Sequence, residues 1–445
     1  MVMKKTLWFI IIFTMFIALL SPAAGFAQEG TQPPGPFIDA GKTAWMLTST
    51  AFVLLMVPGL ALFYGGMVQN KNMLNTMLLS MIAMAIIGVE WVLIGYNMAF
   101  GTDHFGIIGW SSGGIALRNI PWDQIRADGV PELVFVMFQG KFAILTPALI
   151  SGALVGRMKF SSYMLFIFLW AILVYNPLAH IVWGAGGFLL EKGVLDFAGG
   201  TVVHIAAGVS ALILVLFFTK KRLGYPEDTI NPGSLFLTLL GAGLLWVGWF
   251  GFNAGSAIAV SDFMLRAGIA FTTTQVATAS AALSWAMVDY FTHGKITGLG
   301  LASGMVAGLV AITPAAGHVS VVAAIFIGLL AGVICYLGVS LKTKFGYDDS
   351  LDVFGVHGIG GMWGSLATGI FVTIGSDLKG LIDGGFRQFF LQVIGVIVAI
   401  IIASVGTFIV ASIVSLIQGT MRAPEREESL GLDLTQHGER GFQLY

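Results

Sequence analysis

Eleven apolar segments dominate this sequence, and each is long enough to cross the roughly 30 Å hydrocarbon core of a bilayer as a helix. They fall near residues 44–66, 75–100, 132–155, 160–183, 198–219, 234–254, 265–291, 297–313, 319–341, 355–375 and 387–418. Only 10% of the 445 residues are charged and 57% are hydrophobic, whereas soluble domains carry about 25% charged residues. The sequence therefore predicts an all-α polytopic membrane protein with eleven transmembrane helices.

The first residues predict a cleaved signal peptide. Lys4 and Lys5 precede the apolar run LWFIIIFTMFIALL, and small residues and then the polar sequence EGTQPPGPFIDAGK follow it. We therefore divide the chain into a signal peptide at 1–27, a membrane domain at 28–418 and a cytoplasmic regulatory tail at 419–445. A retained first transmembrane span is the alternative.

Lysine and arginine residues set the expected orientation. Cleavage leaves the mature N-terminus outside, and these residues are then more numerous on the inner side, as the positive-inside rule requires. The C-terminal tail would lie in the cytoplasm. Its mixed charges, glycines and proline are by themselves typical of a solvated segment.

Two segments resemble each other at a distance of five spans. The fifth apolar segment opens on DFAGGTVVH, residues 196–204, and the tenth opens on DVFGVHGIGG, residues 352–361. An aspartate, glycine-rich sequence and a histidine recur in both. Because five is odd, the two copies must cross the membrane in opposite directions. This pattern predicts a five-plus-five inverted repeat, an arrangement of transporters whose substrate site lies near the bilayer midplane.

The two histidines of this repeat, His204 and His357, are candidates for a functional site. Asp196 suits the N-cap of its helix, and eight residues at about 1.5 Å each place His204 roughly 12 Å deeper. A charged imidazole is costly at that depth, but two neutral rings that meet can share one N–H···N bond and line a narrow path. For either residue alone, a core histidine bonded to a backbone carbonyl is the alternative.

Other functions have little support in these residues. The histidines lack an evident nucleophile or a third metal ligand, so we predict no enzymatic activity, cofactor or bound metal. A net charge of −1 argues against a nucleic-acid partner, and the lone Cys335 cannot form an intrachain disulfide. Asp196 has two compatible interpretations, as a structural cap and as a carboxylate that draws cations toward an outer vestibule.

Six longer motifs occur in order along the mature chain. They are PGLALFYGGM at 58–67, DFAGGTVVH at 196–204, WFGFNAGSA at 249–257, ITPAAGH at 312–318, LDVFGVHG at 351–358 and GLDLTQHGE at 431–439. Together they resemble the ammonium transporter family, Amt/Mep/Rh, and the Amt branch in particular. The resemblance covers essentially the whole mature chain, and motifs of eight or nine residues make it specific.

The resemblance implies a homotrimer in which each eleven-helix subunit has its own pore. It assigns roles to eight residues, from the outside inward: ammonium recruitment at Trp183, Phe138, Ser256 and Asp196, a gate at Phe142 and Phe252, and the pore and proton path at His204 and His357. We expect ammonium to be recruited outside and deprotonated near the gate. Ammonia would then pass the histidines, with or without separate proton transfer.

The resemblance also leaves alternatives and partners to consider. An ammonium sensor with the same fold and little flux is the main alternative. A neutral-gas channel of the Rh kind is another, although Trp183 and Ser256 argue against it. Methylammonium is a candidate second substrate. The expected location is the inner (plasma) membrane, and the tail suggests docking of a PII-type nitrogen regulator.

Lys141 departs from the family pattern. It stands beside Phe142 in FQGKFA, where a small or polar residue is expected. Adjacent helix residues diverge by about 100°, so we expect Lys141 to point away from the pore and to extend its ammonium group toward polar surroundings. A lysine facing the vestibule would weaken cation recruitment.

Overall fold

The computed structural model describes residues 37–441 except 228, 229, 376 and 377, so the predicted signal peptide at 1–27 lies outside the described residues. Helices make up nearly all regular structure in the described part. The α-helices are Ala40–Met67, Met73–Glu90, Tyr96–Phe100, Glu132–Ile150, Phe160–Trp170, Asn176–Trp183, Phe188–Lys192, Ala206–Phe217, Leu235–Gly255, Phe263–His293, Gly298–Ile312, Val321–Phe345, Ile359–Phe371, Phe386–Gln418 and Glu425–Leu430. A small antiparallel hairpin pairs Asp103–His104 with Ile108–Gly109.

Tighter and wider turns extend several of these helices. Short 3₁₀ turns are at Asn70–Asn72, Ile115–Leu117, Ser151–Ala153, Ser256–Ala259 and Leu381–Asp383. Wider π-helical turns are at Trp91–Gly95, Ala171–Tyr175, Gly200–Ile205, Phe354–Gly358 and Asp433–His437. Isolated π turns are frequent at functional sites, and two of these hold His204 and His357.

All eleven predicted apolar segments are helical, and eight helical spans of the described chain are long and apolar enough to cross a membrane. The eight are Ala40–Met67, Asn70–Phe100, Glu132–Ala153, Phe160–Lys192, Gly200–Phe217, Leu235–Ala259, Val321–Phe345 and Phe386–Gln418. Gly298–Ile312 is apolar but has only 15 residues. Phe263–His293 and the helix that contains His357 are rich in threonine, alanine or glycine. Eleven crossings and the inverted repeat therefore stay predictions.

Polar caps and left-handed glycines fix where the long helices begin and end. The hydroxyls of Ser234, Thr297 and Ser320 each accept a hydrogen bond from the amide three residues later, which satisfies one free donor of the first turn. Gly294 and Gly346 follow their helices with φ of 72° and 65°, a conformation that glycine adopts without steric cost.

Close helix packing depends on glycine where two long helices run side by side. Ala40–Met67 packs along Leu235–Gly255, and a Cβ at Gly241 would overlap the backbone of Phe63. The helices can therefore approach until their backbones touch, as small residues allow in lipid.

Candidate functional site

The two predicted histidines meet in the core of the molecule. Nδ1 of His204 lies 3.2 Å from Nδ1 of His357, and the two rings are nearly parallel, with centroids 5.3 Å apart. Both side chains are buried, with 0% and 2% exposure. Because each facing atom is an Nδ1, a single N–H can join the rings, with one ring as donor and the other as acceptor.

Glycines beside the histidines make this meeting possible. Gly208 follows His204 by one helical turn and Gly358 follows His357 directly, and a Cβ at Gly208 would overlap the amide nitrogen and Cα of Gly358. A Cβ at Gly361 would likewise lie 3.0 Å from Cβ of His204. The two helices therefore cross at glycine contacts, which bring their histidine rings within hydrogen-bonding distance.

Asp196 caps the N-terminal end of its helix by hydrogen bonding. Its carboxylate accepts from the amides of Gly199, Gly200 and Thr201 at 2.6–2.8 Å and of Val202 at 3.2 Å, and from the Thr201 hydroxyl. The side chain is only 7% exposed. These donors saturate the carboxylate, as the capping interpretation expects.

The pairing of Asp196 with Asp352 in the sequence repeat is wrong. The capping counterpart is Asp349, which precedes His357 by eight residues, as Asp196 precedes His204. The Asp349 carboxylate accepts from the amides of Val353 and Phe354 at 3.1 and 2.8 Å. Burial, and then the nearby Asp352 carboxylate, raise the pKa of Asp349 to about 6. The sequence repeat misled because DVFGVH begins three residues after the capping aspartate, so that Asp352 precedes His357 by only five residues.

Two phenylalanines stack directly above the histidine pair. The rings of Phe142 and Phe252 are 4.1 Å apart at 27° and almost fully buried. Phe252 also contacts His204, with ring centroids 6.1 Å apart. Phe138 touches Phe142 edge-on at 4.9 Å. The predicted gate residues and the histidine pair thus form one continuous column of rings.

Trp249 is a site residue that the sequence analysis quoted in a motif but did not single out. Its indole lies nearly parallel to the His204 ring, 5.3 Å away at 15°, and its N–H donates to the Thr313 hydroxyl at 2.8 Å. The hydrogen bond fixes the indole plane, and the indole in turn supports one face of the imidazole.

A cavity of about 360 Å³ opens on the other side of the phenylalanines. Trp183, Ser256 and Phe142 line it. The Trp183 indole donates to the backbone carbonyl of Asp196 at 2.8 Å, and its ring meets Phe142 edge-on at 6.1 Å. The Ser256 hydroxyl donates to the carbonyl of Phe252 at 2.8 Å. Its lone pairs therefore remain available as acceptors. We call this cavity the outer vestibule, after the side of the membrane that the sequence analysis predicts for it.

A charged cluster on the wall of the outer vestibule was not predicted. Tyr96 donates to the Glu132 carboxylate, and the Arg126 guanidinium lies 3.7 Å from the same carboxylate. Arg126 also covers the Phe135 ring at 3.7 Å and pairs with Asp128 at 2.9 Å. A single carboxylate at a helix start gives no pattern in the sequence, because its partners are distant along the chain.

Lys141 does not line the outer vestibule, although its neighbour Phe142 does. Its side chain is partly exposed. This agrees with the expectation that it points away from the pore.

Two other buried histidines have structural hydrogen bonds. His180 contacts the Ala99 carbonyl and the Asp103 carboxylate, both at 2.9 Å, and this bond lowers the pKa of Asp103. His318 lies 3.2 Å from Arg266. Burial, and then the Arg266 charge, lower the pKa of His318 to about 4. Within the described residues, neither ring forms a hydrogen bond or ring contact with His204 or His357.

Charged residues lie close to His357, at the end of the ring column that the sequence analysis predicts to face inward. A cavity of about 10 Å³, room for roughly one water-sized molecule, is lined by His357, Asp352 and Tyr64. Nearby, Asp348 pairs with Arg157 at 3.4 Å and Arg222 at 2.8 Å. Burial opposes ionisation of Asp348, but the two arginines outweigh it and lower its pKa.

The C-terminal tail is anchored to the membrane helices at several points, although about half of its described residues are exposed, as expected of a solvated segment. Asp433 accepts from the amides of Leu74 and Asn75 at 3.0 and 2.7 Å. Glu428 accepts from the Leu223 amide at 2.6 Å. Partners far away in the sequence satisfy these charges, and composition cannot reveal them.

Within the described ranges, no group of three or more histidine, cysteine, aspartate or glutamate side chains is arranged to hold a metal ion.

Comparisons with known proteins agree with one another. A profile of the Ammonium Transporter Family matches residues 44–442. The chain is 46% identical to an ammonium transporter of Aquifex aeolicus over 412 residues, covering 92% of this chain and 94% of that protein. It is also 46% identical to an ammonium transporter of Bacillus subtilis over 413 residues, 91% of this chain and 99% of the relative.

Two solved structures with a similar fold are described in different terms, one as Mep2 and one as a sensor protein. Saccharomyces cerevisiae Mep2 matches with a TM-score of 0.79 and 34% identity over 88% of each chain. A sensor Amt protein matches with a TM-score of 0.80 and 28% identity, over 89% of this chain and 98% of that chain.

Proposed function

Because the chain belongs to the ammonium transporter family, and so is a membrane-spanning transporter, we propose a stepwise route for its substrate. Ammonium binds in the outer vestibule and loses one proton beside the stacked phenylalanines. The proton passes to vestibule water or, where transport carries charge, to the histidine pair. Ammonia then passes along the two histidines to the inner side. Methylammonium, a primary ammonium with one methyl group, is a candidate second substrate.

Recruitment rests on the side chains that the outer vestibule presents. The Ser256 hydroxyl spends its hydrogen on the Phe252 carbonyl, so that it can only accept from an N–H of ammonium. The Trp183 ring face offers about 0.5–2 kcal/mol of cation–π attraction, depending on desolvation. Phe138 contributes aromatic surface behind Phe142. Asp196 acts indirectly, because its carboxylate is saturated and its carbonyl orients Trp183.

Deprotonation would supply the selectivity. Potassium and ammonium have the same charge and similar size, and a charged ion between the buried rings of Phe142 and Phe252 would lose its hydration at great cost. Ammonium can release a proton and continue as a neutral molecule, whereas potassium cannot. The closed stack of rings therefore favours the one cation that can lose its charge.

The observation that carries the proposal is the hydrogen-bonding state of the histidine pair. The rings bond to each other through Nδ1, and Nε2 of His204 is buried without a hydrogen-bond partner in the described chain. A buried polar atom without a partner is unfavourable, and ammonia can supply one. Since one Nδ1 carries the shared proton, one Nε2 is an acceptor and the other is a donor. Ammonia can hydrogen-bond to both, donating to the acceptor nitrogen and accepting from the N–H of the other ring.

The test is ammonium flux into proteoliposomes. We expect an ammonium pulse to alkalinise the lumen of wild-type proteoliposomes, because entering ammonia binds a proton there. Where the proton also crosses, the pulse should instead produce a current. His204→Ala should abolish ammonium-dependent flux, whereas His104→Ala, on the exposed outer hairpin, should leave it unchanged. Equal flux through wild type and His204→Ala would contradict the proposed route.

A sensor with the same fold is the second candidate, and the packed tail favours considering it. The tail contacts the inner ends of several helices. A change in these helices when ammonium binds would therefore reach a partner bound to the tail. A sensor would bind ammonium, detected as a rise in melting temperature, without appreciable flux. Substantial wild-type flux would rule it out as the main function.

Assembly and partners follow from the same family membership as proposals. We expect a homotrimer in the inner (plasma) membrane, with the N-terminus outside and the C-terminus in the cytoplasm, which light scattering and protease accessibility would test. A PII-type regulator would bind at the cytoplasmic face. Because the tail packs on the membrane domain, deleting residues 419–445 would disturb the fold. Charge reversal of the exposed Arg426 is a sharper test of regulator binding in a pull-down.

A further inference from the structure

At the inner end of the path, the ammonium group of a lysine forms an ion pair with a carboxylate. Lys342 Nζ pairs with the Asp352 carboxylate and donates to the backbone carbonyl of Asp349 at 3.3 Å. Asp352 lines the small inner cavity together with His357. The two paired side chains are 25% and 22% exposed, whereas the Asp352 oxygen that meets Lys342 is itself buried.

The backbone holds this carboxylate in place. Asp352 has a φ of 64°, in the left-handed region that a residue with a Cβ seldom adopts. Such conformations persist when surrounding contacts determine them, and they occur often at functional sites. The capping bonds of Asp349 on one side and the helix that starts at Val353 on the other supply those contacts.

Lys342 is the cation that contacts Asp352 at the inner mouth, the charged region around the small inner cavity. Three carboxylates lie there, and three cations face them: Asp348, Asp349 and Asp352 against Arg157, Arg222 and Lys342. Both arginines contact Asp348 directly. Lys342 is therefore the cation that neutralises Asp352, and without it the inner mouth would carry an excess negative charge.

We propose that Lys342 is a tethered substitute for ammonium, which fills the inner carboxylate and keeps cytoplasmic potassium and ammonium from collecting at the inner mouth. A lysine side chain ends in a primary ammonium group, chemically the closest match to the transported ion in the chain. The outer vestibule leaves its acceptors open to incoming ammonium, whereas the inner mouth has its acceptor filled. The inference rests on the proposed function and adds a residue that sets cation specificity on the inner side.

If Lys342 only tied its helix to the following loop, we would expect a different result. Loss of a tie lowers stability whatever salt is present. Loss of a tethered cation creates a site for monovalent cations, so its effect depends on which cation is supplied. Lys342→Met, Lys342→Arg and the double variant Lys342→Met/Asp352→Asn separate these cases.

Ammonium flux should be measured in proteoliposomes with potassium chloride or N-methyl-D-glucamine chloride on both sides, so that the inner mouth meets the salt in either orientation. We expect potassium to slow Lys342→Met by about fivefold relative to the bulky cation, the scale of one ion pair in water. Wild type, Lys342→Arg and the double variant should be insensitive. Equal flux of Lys342→Met in the two salts would overturn the inference while leaving the proposed function intact.

A measurement without flux keeps the inference testable if wild type carries none. In detergent, potassium should raise the melting temperature of Lys342→Met above its value in N-methyl-D-glucamine, and should not do so for wild type or the double variant. An equal potassium effect on all variants, or none on Lys342→Met, would overturn the inference. Absence of wild-type flux alone would count against the proposed transport function instead.

Discussion

The indole of Trp249 lies nearly parallel to the imidazole of His204, with 5.3 Å between their centroids. A single hydrogen bond to the Thr313 hydroxyl fixes the indole plane. Thr313 also donates to the carbonyl of Leu309 in its own helix, so its hydroxyl is anchored in turn. The orientation of the proposed pore histidine thus depends on a residue that never reaches the pore.

Thr313→Val should lower both stability and ammonium flux. The substitution keeps the side-chain shape and removes the hydroxyl, which leaves the buried Trp249 N–H without an acceptor at a cost of about 1–3 kcal/mol. Melting temperature in detergent and liposome flux would measure the two effects. Thr272→Val is the control, because Thr272 is exposed and bonds only to the Gly268 carbonyl of its own helix. Unchanged flux in Thr313→Val would show that the indole does not position His204.

Gly208→Ala should separate the histidines. The added Cβ would overlap the backbone of Gly358, and extra volume in a packed core typically costs about 1–3 kcal/mol. We expect a lower melting temperature and a loss of flux, since the helices must move apart beside the rings. Gly243→Ala is the matched control, because a Cβ there meets nothing within 4 Å. If both variants behaved alike, the glycine crossing would not set the ring separation.

Local patterns predicted the helices well, because a long apolar run in a chain with few charges has only one stable form in lipid. The meeting of His204 and His357 also followed from the repeat of their surroundings. The aspartate that caps the helix of His357 did not follow from that repeat. Asp352 opens the similar stretch of sequence but precedes His357 by only five residues, whereas the capping Asp349 lies three residues earlier and precedes it by eight.

Long-range polar contacts account for the remaining differences. Glu132 and Trp249 gave no distinctive signal, since their partners Tyr96 and Thr313 lie 36 and 64 residues away along the chain. The family resemblance assigned the vestibule residues that composition alone would have treated as core aromatics. It could not reveal hydrogen bonds that only the folded chain brings together.

Asp349 should give the protein a stability that falls as pH rises. Its pKa in the folded state is about 6 against an ordinary 3.8, so between these values the folded state keeps a proton that the unfolded state has released. Stability from this group is therefore greatest below pH 3.8 and is lost up to about pH 6, by at most about 3 kcal/mol. Asp349→Asn still offers an oxygen to the two amides but cannot ionise.

The measurement is the difference in unfolding free energy between wild type and Asp349→Asn as a function of pH. Wild type should lose stability relative to the variant as pH rises through that window, and the difference should be constant above it. Asp103→Asn is a control of opposite sign, because the bond from His180 lowers the pKa of Asp103 and its contribution is lost as pH falls. A pH-independent difference for Asp349→Asn would contradict the expectation.

His437 should make docking of the tail sensitive to acid. Its Nε2 lies 2.9 Å from the Asn75 amide nitrogen, so the docked ring accepts a hydrogen bond that a protonated ring cannot. Burial lowers the pKa of His437 below the ordinary value. The released tail therefore binds a proton more readily than the docked one, and docking weakens as pH falls through the ordinary histidine pKa of about 6.5.

Hydrogen exchange at the Leu432 amide, which donates to Asn72 at 2.9 Å when the tail is docked, would report the release. After correction for intrinsic rates, we expect protection at about pH 7.5 to be reduced at about pH 5.5, on either side of the histidine pKa. His437→Gln retains an acceptor oxygen and does not titrate, so its protection should be equal at both values. His104→Gln, on the exposed hairpin, should behave as wild type. Acid release that persists in His437→Gln would assign the sensitivity to another group.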